Sequence, residues 1–231
     1  MSIGILLTLS TYAVLGIFLV LLVGRLLTLE KAARTVRGYV PSPPRLNPRL
    51  VLKIAGDILF LSRLLKTNDL LWIGEWLFHC TFFLVVLRHL VFFLNPLPGW
   101  VAFLQPFGIF AGYLLPLSLI YILSIKLSRE KGYFPSYNFF LLILLLLLSV
   151  TGILLRTVFK ADLVAVKGFV LGILGLSPQS VPLHFLFVMH FSLVLVFILY
   201  VPTHIFAAPL VMLDARQREE ELKTLMHGEK R

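Results

Sequence analysis

A chain of 231 residues that is 59% hydrophobic, carries 20 Phe and has a mean hydropathy of +0.95 is too apolar for a water-soluble domain. Its formal charge of +10 sits mostly beside hydrophobic segments, where anionic headgroups and loop topology account for it, so a nucleic-acid partner is not expected. Membrane lipid is the first partner that the composition implies.

Five stretches are long enough to cross a hydrocarbon core, which takes about 20 apolar residues as helix. They are Ile3–Leu26, Leu70–Leu94, Trp100–Ile125, Ser136–Leu155 and Pro182–Leu210. Unbroken runs such as Phe139–Leu148 exclude the alternating pattern of a membrane barrel. The fold class is therefore all-α, an integral membrane five-helix transmembrane bundle. The first span has no basic residues before it and no small-residue cleavage site, and reads as a retained anchor.

Lys and Arg in the short connections set the orientation. The connection after the first span carries Arg25, Lys31, Arg34, Arg37, Arg45, Arg49, Lys53, Arg63 and Lys66, and the one after the third carries Lys126, Arg129 and Lys131. Both are expected in the cytoplasm, which puts the N-terminus outside and the C-terminus inside. Arg156, Lys160 and Lys167 in the outer segment after the fourth span are a mild exception. Residues 1–210 then form the membrane domain, with a cytoplasmic linker and interfacial helix over about residues 27–68, and residues 211–231 form a cytoplasmic tail.

Within that linker, Pro41–Pro48 is expected to be extended, and Val51–Lys66 reads as one amphipathic helix with Lys53, Asp57, Arg63 and Lys66 on its polar side. The tail from Asp214 mixes charges at helical spacing, a solvated face or a docking surface for a soluble subunit.

Four histidines stand in pairs on two spans, His79 with His89 and His190 with His204. Ten residues separate the first pair, about 15 Å of helix rise, and fourteen the second, about 21 Å. With the second and fifth spans antiparallel, His79 and His204 share the cytoplasmic depth and His89 and His190 the outer one. A lone membrane histidine is often just bonded to a neighbouring carbonyl, but four matched in depth point to two stacked bis-histidine sites. Without a Cys-x-x-Cys-His sequence any haem is non-covalent, so the reading is two b haems with His79, His89, His190 and His204 as iron ligands. Cys80 reads as an apolar filler.

Arg88 and Arg156 are suitably placed to neutralise the propionates of the outer haem, snorkelling being the plainer reading of Arg156. Glu75, one turn before His79, could orient a basic neighbour such as Lys66 or simply lie in the interface. His184 is off the faces of both His190 and His204 and is left as an outer-edge residue, and His227 lies in the tail.

The chain resembles the five-span gamma subunit of respiratory nitrate reductase and the related cytochrome b subunits of heterodisulfide-reductase-like and sulfate-reducer complexes. The resemblance covers most of the chain. It rests on the second-span His-x9-His of His79 and His89, on His190 twelve residues before Pro202, and on a following histidine. In nitrate reductase members the last ligand falls six residues after that proline, where this chain has Ala208; here His204 stands one turn earlier. Glu75-Trp76-Leu77-Phe78-His79, and Thr151-Gly152 with Arg156, look more like the haem-b subunits of sulfate-reducer complexes, linked to high-molecular-weight cytochrome c or sulfite reductase. Nitrate is therefore not the expected substrate.

The resemblance implies a cytochrome b subunit that transfers electrons between menaquinone and a cytoplasmic iron–sulfur subunit of heterodisulfide-reductase-like type. Further membrane and periplasmic cytochrome c subunits are implied, in a bacterial or archaeal cytoplasmic membrane. By the same analogy the quinone site abuts the outer haem, where Arg88, His89, Lys160, Lys167 and His184 could gather. Two other readings stand beside it: a transporter or proton channel using membrane histidines, and a haem-free anchor subunit. The chain has neither a nucleotide-binding glycine loop nor cluster-binding cysteines, so it is expected to act as an electron-transfer subunit within a hetero-oligomer.

Overall fold

The computed structural model describes residues 3–37, 48–129, 136–182 and 184–204, with Glu219 and Met226. Among them are eight α-helices and no strand: α1 (Ile3–Arg37), α2 (Pro48–Leu59), α3 (Ser62–Thr67), α4 (Asp69–His89), α5 (Gly99–Arg129), α6 (Ser136–Thr157), α7 (Leu163–Leu174) and α8 (Phe185–His204). A single 3-10 turn, Leu90–Phe92, continues α4. Five helices, α1, α4, α5, α6 and α8, are long and apolar enough to cross a membrane. Their outward side chains are apolar, as with Val20 at 73% exposure and Phe103 at 69%, which suits lipid and would be a liability in water.

Polar residues buried in these spans satisfy themselves locally. Thr8, Thr11 and Thr81 donate to carbonyls of Gly4, Leu7 and Leu77 at 2.8–2.9 Å, and Ser118 and Ser149 to Leu115 and Leu146 at 2.7 and 2.8 Å. No hydroxyl in this set needs water, so each is tolerated inside a span.

The chain divides into two compact units. In the first, Met1–Val14 with Asn68–Phe197, α4 packs along α5 and α5 against α6. Asn68 starts α4 by accepting the Leu71 N–H at 3.0 Å. Gly74 lets α5 approach, since a Cβ there would lie 2.7 Å from the Tyr121 ring and 2.9 Å from Ile122. Lys126 and Glu75 tie the same two helices by an ion pair of 3.4 Å, both side chains largely buried. The basic neighbour of Glu75 is thus Lys126 of α5, a pairing that depends on how α4 and α5 pack and is invisible in the spacing.

The second unit, Leu15–Thr67 with Ile198–Arg231, contains α2 and α3. The single amphipathic helix expected over Val51–Lys66 is broken: Leu61 takes a left-handed backbone, φ 47°, between α2 and α3. Asp57 is not on a solvated face but buried at 6% exposure, accepting a bond from the Ser62 hydroxyl at the start of α3. Arg63 pairs with Glu219 at 3.0 Å, both side chains partly exposed. The stretch over residues 41–47 that is expected to be extended, residues 205–210 of the fifth span and the rest of the charged tail lie outside the described residues.

A further element departs from the sequence expectation. The segment after α6 reads as an outer loop, yet Leu163–Leu174 is a helix, α7, capped by Asp162 accepting from Val164 and Ala165 N–H. Phe169 of α7, fully buried, centres a cluster with Leu7, Leu155, Ile173, Leu186 and Phe187. Tyr12 of α1 donates to the Ile173 carbonyl at 2.8 Å, tying α1 to the end of α7. Phe169→Ala removes a buried ring and is expected to cost about 3 kcal/mol, read as a lowered thermal midpoint of the detergent-solubilised protein.

Candidate functional site

Helix α4 holds two of the nominated histidines in the same local arrangement. The Nδ1 of His79 lies 2.6 Å from the Glu75 carbonyl, and that of His89 2.7 Å from the Val85 carbonyl, each four residues back. A carbonyl only accepts, so Nδ1 carries the proton and Nε2 keeps a free lone pair. His190 of α8 reaches the same state by another route, its Nδ1 standing 2.8 Å from the Thr151 hydroxyl of α6. The Thr151 hydroxyl lies 2.8 Å from both the Leu147 carbonyl and the His190 Nδ1; with its one proton on the carbonyl, its oxygen accepts from His190.

His89 and His190 line one partly open cavity of about 80 Å³ among α4, α5, α6 and α8. Its walls also carry Arg88, Tyr113 and Arg156, and three glycines. Gly108 admits Arg88, because a Cβ there would lie 2.5 Å from the Arg88 Cβ and 3.0 Å from the Leu84 carbonyl. Gly152 admits His190, whose Cε1 would be 3.3 Å from the missing Cβ. The Gly112 position has no other atom nearer than 4.0 Å, so its bare backbone leaves open space.

Arg88 Nε is buried without a hydrogen-bond partner. A cationic donor in that state is costly and calls for an acceptor, most effectively an anion. Gln105 meets the Arg88 backbone instead, donating to its carbonyl at 3.2 Å. The cavity wall thus brings together two imidazoles, three glycines and two guanidinium groups, one of them with an unsatisfied donor. By the chemistry of their side chains, these residues suit an iron-centred group with carboxylate arms, such as haem.

The other nominated residues lie elsewhere. His79 is exposed and outside the cavity wall. His204 ends α8, and its side chain, like Ala208 and His227, is outside the described residues. Of the residues named for a quinone site, Arg88 lines the cavity with His89, whereas His184, Lys160 and Lys167 are not among its lining residues. His184 is exposed, accepts the Leu186 N–H at 3.2 Å as α8 begins, and has its ring 4.7 Å from that of Phe159. Lys160 sits exposed in the turn between α6 and α7 with φ 40°, and Lys167 belongs to α7; neither lines the cavity. Cys80 is half-buried. Among the described residues no three His, Cys, Asp or Glu side chains gather as a metal-ion site.

Sequence reasoning missed Thr151 as a partner of His190, and Gly108, Gly112 and Tyr113 as cavity residues. The Gly-x-x-x-Gly spacing of Gly108 and Gly112 was an available signal for close helix approach.

No family model matches the chain, and no solved structure does. A stretch of 82 residues, 34% of this chain, is 34% identical to the Hdr-like menaquinol oxidoreductase cytochrome b-like subunit of Archaeoglobus profundus. The matched stretch covers 24% of that relative's length. The likeness supports the heterodisulfide-reductase-like arm of the resemblance and not the nitrate reductase arm.

The two α5 glycines separate packing from space. Gly108→Ala drives a Cβ against Arg88 and is expected to cost about 1–3 kcal/mol of stability. Gly112→Ala, with no comparable neighbour, is expected to leave the thermal midpoint nearly unchanged.

Proposed function

We propose that this chain is the cytochrome b-like membrane subunit of a quinol-linked redox complex and that His89 and His190 hold a b haem in the cavity between them. The observation that carries this reading is two imidazoles on one cavity, each with Nδ1 bonded to a protein oxygen and Nε2 left for iron. Ligand histidines are characteristically oriented through their other ring nitrogen in this way. A bound haem would supply reversible one-electron chemistry.

The remaining groups have roles that follow from their chemistry. Arg88 and Arg156 neutralise the propionates, and the unsatisfied Arg88 Nε gains its acceptor. A second b haem is assigned to His79 with His204, on the sequence register alone. Menaquinol as electron donor or menaquinone as acceptor, and a cytoplasmic iron–sulfur partner within a larger complex, are proposed from the sequence resemblance; the relative's name supports menaquinol and an Hdr-like setting.

Reduced-minus-oxidised spectra with haem quantitation test the reading. The wild type is expected to carry two b haems, and His89→Ala and His190→Ala each to lose the same one. Loss of one haem in His79→Ala, additive with His89→Ala, supports the second site. A wild type without haem sinks the reading and favours an anchor or a transporter.

A further inference from the structure

The three described membrane histidines differ in what orients them. His79 and His89 each bond a carbonyl of their own helix, four residues back. His190 is held by the side chain of a different helix, the Thr151 hydroxyl of α6. Thr151 is 3% exposed, and its proton is engaged by the carbonyl of Leu147, with that of Leu148 at 3.1 Å. The next residue, Gly152, leaves the room that the His190 ring edge occupies. Thr151 and Gly152 therefore form a notch on α6 that accepts the His190 imidazole, the hydroxyl fixing the ring's proton and the glycine its approach.

We infer that Thr151 is a positioning residue for His190: it selects the tautomer with Nε2 free, and it tunes the electron donation of that nitrogen to the proposed haem iron. The inference rests on the proposed haem ligation. A hydrogen bond accepted from Nδ1–H raises the basicity of the imidazole, which favours the oxidised iron. Were the proton on Nε2 instead, His190 could not bind iron through that nitrogen.

The test uses the purified full-length protein with Thr151→Val, which keeps the shape and removes the hydroxyl, and Thr151→Ser, which keeps the hydroxyl. In Thr151→Val the haem assigned to His89 and His190 is expected to transfer to an apomyoglobin trap with roughly tenfold weaker retention. Its midpoint potential should move upward in a redox titration. Thr151→Ser should restore both values. An unchanged potential and retention in Thr151→Val, or a Ser variant that behaves like the Val variant, overturns the role assigned to the hydroxyl while leaving the haem reading standing. A wild type that carries no haem overturns both.

Discussion

An imidazole in hydrocarbon has to satisfy its N–H within the protein, because no water competes for the bond. In His79, His89 and His190 the internal acceptor meets Nδ1, and this one hydrogen bond decides what each ring can do. It fixes the tautomer, turns the ring, and leaves a basic Nε2. An exposed histidine in water would exchange between tautomers; these are held in one.

Helix packing then brings two of these nitrogens to one cavity. Gly74 and Gly108 let α4 and α5 approach closely, so Arg88 and His89 are carried on a wall that α5 completes. Gly152 leaves room on α6 for the His190 ring edge. The price of this arrangement is Arg88, whose Nε is buried without an acceptor. The protein therefore holds two free lone pairs and an unmet cationic donor together, a combination that an anionic metal macrocycle would satisfy in both respects.

The five spans were legible because apolar length is a property of the sequence alone, and α1, α4, α5, α6 and α8 begin within a few residues of the expected positions. Helix α7 was missed because Lys160 and Lys167 drew the segment toward a charged loop, although Asp162 before an apolar run is an N-cap signal. The break at Leu61 has no such mark, since a leucine with positive φ is not advertised by its residue type. Among site residues, His89, His190, Arg88 and Arg156 were nominated from the sequence, and all four line the cavity. His184 and Lys160 were nominated by family analogy and are not among the cavity-lining residues; His184 accepts the Leu186 N–H and Lys160 lies in the turn after α6. Thr151 could not be found by spacing, because its meaning depends on α8 lying against it.

His89 and His190 would together hold one haem. Near-infrared magnetic circular dichroism of the oxidised, purified protein reads axial ligands directly. The account predicts a low-spin bis-imidazole signature that loses one component in His190→Ala; a different ligand pair, or a bis-imidazole signature undiminished by that substitution, would contradict it.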